Sequence, residues 1–232
     1  MSYLLWSLFG LLTFGSPFPI PPTFAIAQAD ELVADVIGVD DIVDDAETVE
    51  ASPEVSEPID ALLTSSKDHG VIDVPFFSQF TDISSPSWKK IGCGITSLGM
   101  IMEYYNPGTV SVDELLADGI EKNAYSEAGW TYKGLIDVSG EYGFTGESHD
   151  LAGSADAFTQ FKEAVDRGPV IASVYYTFEP GNPIPHLVVI NSIEGETVYY
   201  NDPAEKAGGG TISVDAFIKA WKKRYIEIYP VS

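Results

Sequence analysis

Apolar residues in the middle of this 232-residue sequence recur with the spacing of a helix. Between positions 93 and 105 they stand three or four residues apart, at Ile95, Leu98, Ile101, Met102 and Tyr105. This spacing predicts a helix over 93–105, ended by Asn106-Pro107-Gly108. Similar patterns predict further helices over residues 111–119, 130–142, 156–167 and 214–221. The first of these opens with a capping-box pair, Ser111 and Glu114.

Runs of β-branched and aromatic residues dominate the second half of the sequence. They predict strands over residues 170–176, 187–190, 197–200 and 225–229. Glu194-Gly195-Glu196 joins the second and third of these strands as a hairpin. An earlier strand is expected over 71–77, followed by a loop over 78–92. Helices in the first half and antiparallel strands in the second half predict an α+β fold.

Residues 1–29 predict a secretory signal peptide. They contain no charged side chain and end in small residues, which favours cleavage after Ala27 or Ala29. No Lys or Arg precedes the apolar core, so either the α-amino group supplies the positive end or the true start lies elsewhere. An uncleaved membrane tether is the competing outcome. The apolar run is too short and too broken by proline to span a bilayer, so no stable membrane span is expected after cleavage.

Residues 30–68 predict a disordered acidic linker. They hold 13 acidic side chains, a single lysine (Lys67) and no aromatic residue. Such a segment buries too little apolar surface to offset the entropy of ordering it. The remaining residues, 69–232, carry 11 basic and 22 acidic side chains and are numerous enough for one compact domain.

The charge of the chain limits its partners. Its 12 basic and 35 acidic residues give a formal net charge of −23. This excess of negative charge is repelled by phosphate backbones and by anionic lipids, so neither nucleic acid nor an anionic membrane is expected as a partner. A solvated acidic surface is the simplest explanation of the charge.

A cysteine, a histidine and an aspartate follow one another in the order of a papain-like thiol hydrolase. Cys93, the only cysteine, starts the predicted helix, His186 precedes a strand, and Asp202 follows the next strand. Unpaired N–H groups at a helix start and an adjacent imidazolium both favour thiolate over thiol. Cys93 is therefore the candidate nucleophile, His186 the base and Asp202 its orienting acceptor. Gln79 could donate to the oxyanion beside the backbone N–H of Cys93.

Each of these residues also has a purely structural interpretation. A lone cysteine is often a small buried apolar side chain, a histidine can be satisfied within a core, an aspartate before proline can start a turn, and a loop glutamine needs no special role. The catalytic interpretation of Cys93 is favoured because glycines flank it and because a solitary thiol is a liability in an oxidising compartment. In the predicted hairpin Ile193 pairs near Thr197, which carries His186 towards Asp202.

Five short stretches match, in order, the motifs of a known family: Val74-Pro75-Phe76-Phe77-Ser78-Gln79, Gly92-Cys93-Gly94-Ile95-Thr96-Ser97-Leu98-Gly99-Met100, His186-Leu187-Val188-Val189-Ile190, Asn201-Asp202-Pro203 and Phe217 to Trp221. They resemble the papain-like double-glycine (bacteriocin-leader) cysteine peptidases, and most of all their stand-alone, exported branch. The resemblance covers about residues 70 to 230. It implies a papain-like cysteine peptidase fold, with a helical amino-terminal half packed on an antiparallel sheet. It also implies Cys93 as nucleophile, His186 as base, Asp202 as orienting residue and Gln79 in the oxyanion hole. Ile95 departs from the family, which often has proline or alanine there.

Three hypotheses about function follow. The first is an exported cysteine peptidase, secreted, periplasmic or at the cell surface, that hydrolyses peptide or related amide bonds in a peptide or protein substrate without a cofactor or metal. The second is a catalytically inactive papain-like domain that binds peptides. The third, a cell-wall endopeptidase of another thiol fold, ranks last because its usual Asp-Cys-Ser signature is absent from the sequence.

Overall fold

The structure, a computed structural model, describes residues 71–232. The predicted signal peptide (1–29) and acidic linker (30–68) lie outside the described residues. Within them the helices are α1 Pro86–Lys89, α2 Cys93–Tyr105, α3 Val112–Glu121, α4 Tyr132–Gly140, α5 Ala157–Val165 and α6 Val214–Ala220. The strands are β1 Tyr125–Ser126, β2 Gly129–Trp130, β3 Phe144–Asp150, β4 Val170–Tyr175, β5 Pro185–Glu194, β6 Thr197–Asn201, β7 Gly210–Ser213 and β8 Trp221–Pro230.

The predicted helices are confirmed, with adjusted ends. The helix over 93–105 is α2, and the capping box of α3 is present: Glu114 N donates to Ser111 Oγ at 3.2 Å, and Ser111 N donates to Glu114 Oε2 at 3.4 Å. Helix α4 begins at Tyr132 and not at residue 130, because β2 pairs with β1 in a small two-stranded sheet. Thr131 caps α4 by accepting from the N–H of Gly134.

The larger sheet has six antiparallel strands in the order β3-β8-β4-β5-β6-β7. Strands β4, β5, β6 and β8 confirm the sequence prediction, and the hairpin between β5 and β6 turns at Gly195-Glu196. The other two strands were not predicted, because each mixes polar residues with a glycine and lacks an apolar run. Both lie at sheet edges, where one side of the strand has no partner within residues 71–232 and a continuous apolar pattern is not needed.

The predicted strand over 71–77 is wrong. This segment is extended but joins no sheet, and Pro75 removes a backbone donor from it. The 71–77 segment is tied instead to the end of β6, and the residues just after it are tied to the loop that follows β6. The carbonyl of Val74 accepts from Asn201 Nδ2 at 2.9 Å, and the N–H of Gln79 donates to the carbonyl of Pro203 at 2.8 Å. The segment leading to Cys93 is therefore fixed by side-chain and loop contacts.

Both faces of the larger sheet are covered by helices. Helices α2, α3 and α4 form one hydrophobic core with sheet residues such as Ile171, Val189 and Ile226. Helices α5 and α6 form a second core with the alternating residues, among them Ala172 and Val188. The α+β fold is confirmed, with α2 lying against the centre of the sheet. None of the helices within 71–232 has the length and apolar character needed to cross a membrane.

Candidate active site

Cys93 is the first residue of α2 and carries a free, half-buried thiol. Gly92 occupies the N-cap position without a side-chain cap, so the first backbone N–H groups of α2 point out of the helix beside the sulfur. The flanking glycines are needed for packing. A Cβ on Gly92 would overlap the side chain of Ile83, and one on Gly94 would lie 2.6 Å from Cγ of Trp130. The two glycines therefore let the side chains of Ile83 and Trp130 pack closely against the backbone on both sides of the thiol.

The amino-terminal end of α2 packs against a cluster of aromatic rings. Trp130 Nε1 donates to the carbonyl of Ile91 at 2.6 Å, and its ring lies 5.3 Å from that of Tyr125 and 6.0 Å from that of Trp88. Burial, with the charge of Cys93, raises the pKa of Tyr125. The two tryptophans are buried, as expected for core or cleft-wall residues, and they fix the chain just before the nucleophile.

His186 and Asp202 are buried and bonded to each other. His186 Nε2 lies 2.6 Å from Asp202 Oδ1, and the two side chains are only 4% and 6% exposed. The same carboxylate oxygen accepts from the N–H of Ala204 at 2.8 Å, and the Asp202 carbonyl accepts from the N–H of Glu205. Asp202 therefore starts a turn, as its structural interpretation predicted, and also holds the imidazole.

The register of the β5–β6 hairpin brings this pair together. Glu194 lies opposite Thr197, one step from the predicted pairing of Ile193 with Thr197. A bulge between Ile190 and Ser192 then adjusts the ladder, so that Val189 faces Asn201. On the other side of β5, Ser97 Oγ of α2 donates to the carbonyl of Leu187 at 3.3 Å, which ties the nucleophile helix to the strand start that carries His186.

The surroundings of His186 favour the charged ring. Burial lowers the pKa of its imidazole, but hydrogen bonds with the side chains of Asp202 and Cys93, together with the charges of both, raise the pKa from 6.5 to about 9. Because Nε2 is engaged by Asp202, Nδ1 is the nitrogen left to face the thiol. The structure thus brings Cys93, His186 and Asp202 into one site. The arrangement favours an imidazolium at neutral pH beside the thiol.

Gln79 is buried beside the nucleophile, with its Cβ 3.5 Å from where a Cβ of Gly92 would stand. Its Nε2 donates to the carbonyl of Lys89 at 2.8 Å. An amide group carries two such hydrogens, and this bond uses one of them. Its Oε1 is buried without a hydrogen-bond partner among the described residues. The side chain is thus held by the last residue of α1, with one amide hydrogen left for another acceptor.

Sequence reasoning missed two contributors to the site. Asn201 accepts from Gly209 N at 2.9 Å and donates to Val74, so it joins three segments around the site. It stood in the Asn201-Asp202-Pro203 motif, but no role was assigned to it. The Tyr176 and His186 rings pack in a T-shaped arrangement, with centroids 5.1 Å apart at 85°. No motif pointed to this tyrosine, which lies at the end of an ordinary strand pattern.

No metal centre accompanies the thiol: residues 71–232 contain no group of three or more His, Cys, Asp or Glu side chains arranged to hold an ion. The chemistry available is that of a sulfur nucleophile, an imidazole and a carboxylate. Backbone and amide N–H donors lie around the sulfur.

Solved structures share this fold. A double-glycine motif protease from an AMS/PCAT transporter, in complex with its leader peptide, aligns with a TM-score of 0.51 at 22% identity, covering 70% of this chain and 96% of its own. A putative C39-like peptidase from Bacillus anthracis aligns with a TM-score of 0.51 at 20% identity, covering 70% and 98%. Both likenesses show a papain-like peptidase fold. No curated protein matches the sequence.

The sequence itself identifies the family. The model of the Peptidase_C39 like family matches residues 71–231, which include Cys93, His186, Asp202 and Gln79. This match spans well over half of the chain and agrees with the resemblance found in its motifs. The protein therefore belongs to the Peptidase_C39 like family.

Proposed function

We propose that this protein hydrolyses peptide or related amide bonds with Cys93 as nucleophile, His186 as acid and base, Asp202 as the residue that orients His186, and Gln79 in the oxyanion hole. The observation that carries the proposal is the buried 2.6 Å bond between His186 and Asp202, beside a half-buried thiol at a helix start.

Acylation begins from the thiolate and imidazolium forms. The sulfur of Cys93 bonds to the substrate carbonyl carbon, and the carbonyl π electrons move onto oxygen. The backbone N–H of Cys93 and the remaining amide hydrogen of Gln79 donate to this oxyanion. The tetrahedral intermediate collapses, the C–N bond breaks, and the leaving amine takes the proton of His186. A thioester and a neutral imidazole remain.

Deacylation reverses the role of the histidine. Neutral His186 takes a proton from water as the water oxygen bonds to the thioester carbon. Collapse of this second intermediate breaks the C–S bond, releases the acid product and restores the thiolate beside the imidazolium. Throughout the cycle Asp202 holds Nε2, so that Nδ1 stays directed at the reacting atoms.

The test is cleavage of a protein mixture by the purified full chain, with cleavage sites identified by mass spectrometry. Cys93→Ala and Cys93→Ser should both abolish cleavage, and His186→Gln should reduce it severely. His149→Gln is the matched control, because His149 lies on β3, three strands from His186 in the sheet, and should leave cleavage unchanged. Activity that survives Cys93→Ala would refute the proposal.

Alkylation separates an enzyme from the inactive peptide-binding alternative. Iodoacetamide labels thiolates, and Cys93 is the only cysteine, so its labelling rate reports directly on the nucleophile. An active site requires rapid labelling near neutral pH that slows in His186→Gln. Labelling no faster than that of a free thiol, together with peptide binding and no cleavage, would favour the binding role.

We also propose a peptide or protein substrate met outside the cytoplasm. The neighbouring double-glycine motif protease was solved with a leader peptide, which supports a peptide as ligand. The uncharged residues 1–29 support export. Cell fractionation and amino-terminal sequencing of the mature protein test the location, and an unprocessed cytoplasmic protein would contradict it.

A further inference from the structure

A strained three-residue turn lies directly against the candidate base. Residues Tyr176–Phe178 form a 3₁₀ turn between β4 and β5, which we call the strap. Thr177 and Phe178 both adopt positive φ angles, 57° and 56°. This region of φ is unfavourable for most residues other than glycine and particularly so for a β-branched residue such as Thr177. Each residue held there costs about 1–3 kcal/mol of conformational free energy. Such a conformation persists only where its surroundings impose it.

The strap is held at its far end by an aromatic contact with β6. The ring of Phe178 packs 4.6 Å from that of Tyr200, and both contact the second hydrophobic core. Tyr200 in turn lies over Gly210 of β7, where a Cβ would overlap its ring. Tyr200 is two residues before Asp202, so the anchor of the strap and the carboxylate of the site lie on the same short segment.

The near end of the strap places a ring on His186. Strand β4 ends at Tyr175, opposite Pro185, so the chain turns back over the start of β5 where His186 lies. The Tyr176 ring then meets His186 edge-to-face at 5.1 Å. Burial raises the pKa of Tyr176, with further contributions from the charges of Asp202, Glu205 and Cys93, so its hydroxyl stays neutral. The groups that face the imidazole are thus Asp202, Cys93 and Tyr176, while β4 contributes the apolar Val174.

We propose that Tyr176 is a positioning residue, held by the strained strap, that fixes the imidazole of His186 between Asp202 and Cys93 and shields that contact from water. This inference rests on the proposed function. An aromatic ring attracts an adjacent cation through its quadrupole and packs tightly at low entropic cost. Strain in the strap is consistent with this role, because a relaxed turn would let the ring leave the histidine.

The test compares two substitutions of Tyr176 in the full chain. Tyr176→Phe keeps the ring and removes only the hydroxyl, whereas Tyr176→Leu keeps apolar bulk and removes the ring. We expect the midpoint at which His186 loses its charge, followed by NMR of labelled histidine, to fall by about one pH unit in Tyr176→Leu and to stay near the wild-type value in Tyr176→Phe. In the leucine variant kcat should fall about tenfold with little change in KM.

A second variant tests the anchor without touching the site. Phe178→Leu loses the ring that packs on Tyr200, yet Phe178 is two residues from Tyr176 and has no contact with His186 among the aromatic pairs of the described residues. It should move the His186 midpoint and kcat in the same direction as Tyr176→Leu. Tyr229→Leu, at an exposed position on β8, is the control that should change neither.

If the midpoint of the His186 titration is the same as in the wild type in both Tyr176→Leu and Phe178→Leu, the inference is overturned. Equal shifts in Tyr176→Leu and Tyr176→Phe would also overturn it, because the hydroxyl and not the ring would then be responsible. These readouts are independent of substrate: the titration of His186 and the labelling of Cys93 can be followed even if no cleavage is found. Absence of cleavage in the wild type refutes the proposed function, whereas an unmoved titration refutes the role of the strap.

Discussion

Replacing Gly94 with alanine is predicted to destabilise the amino-terminal end of α2, the helix that carries Cys93. The new methyl carbon would lie 2.6 Å, 2.7 Å and 2.9 Å from Cγ, Cβ and Cδ1 of Trp130, closer than carbon atoms in proteins approach. These atoms belong to the root of the side chain, so rotation of a flexible end cannot relieve the overlap. Trp130 must move, and it is held by its bond to the Ile91 carbonyl and by the rings of Trp88 and Tyr125.

The magnitude follows from these contacts. Overpacking a buried site costs about 1–3 kcal/mol, and weakening the Trp130–Ile91 hydrogen bond adds about 1 kcal/mol. Gly140→Ala is the matched control, because Gly140 ends helix α4 with open space where a Cβ would stand. There the same methyl group should stabilise the protein by up to about 1 kcal/mol through helix propensity. The two identical substitutions therefore have opposite expected signs.

Urea unfolding followed by tryptophan fluorescence measures both free energies, and iodoacetamide labelling reports on the site. Gly94→Ala should lower the midpoint at an unchanged slope and also slow labelling of Cys93, because the start of α2 is displaced. Gly140→Ala should leave labelling unchanged. If Gly94→Ala is as stable and as reactive as the wild type, the packing of Trp130 against the nucleophile helix is not what the structure implies.

Three further predictions concern the site and the fold. Because the pKa of folded His186 is raised from 6.5 to about 9, the stability gained from its charge is complete below pH 6.5 and is lost as the pH rises through 9. The excess stability of the wild type over Asp202→Asn should therefore fall over that interval in urea titrations, by part of the about 3 kcal/mol that the whole shift represents, because Cys93 also raises this pKa. A constant difference would contradict the ion pair. Gln79→Ala should lower kcat by about 100- to 1,000-fold in a protein that still unfolds cooperatively, although the lost bond to Lys89 lowers its stability by about 1 kcal/mol. An unchanged kcat would remove Gln79 from the oxyanion hole. Ser111→Ala should cost about 1 kcal/mol in unfolding free energy without altering Cys93 labelling, since it removes only the cap of α3.

The sequence allowed the prediction of those elements whose burial pattern is periodic. Helix α2 lies between the sheet and two other helices, so its apolar spacing is unbroken and its ends were predicted correctly. Edge strands β3 and β7 face solvent on one edge and carry few apolar residues, so no local pattern reveals them. The 71–77 segment has strand-like composition, yet its Val74 carbonyl accepts from Asn201, which is 127 positions away. Such a long-range hydrogen bond cannot be predicted from residues that are adjacent in the sequence.

The same distinction holds at the site. Cys93, His186 and Asp202 could be named because each stands at the end of a recognisable element and their order is informative. Tyr176 could not, since its importance arises from a turn with two positive φ angles, and neither Thr177 nor Phe178 is a residue type that favours them. Tertiary contacts override local preference in the strap.

The position of β8 in the sheet has a consequence for how the domain folds. Among residues 71–232 it is the last strand along the sequence, yet it lies between β3 and β4, and β3 pairs with no other strand there. The sheet therefore cannot enclose β3 until β8 has inserted between two strands that precede it. Because these pairings are distant in sequence, the sheet should fold more slowly than one built from consecutive hairpins.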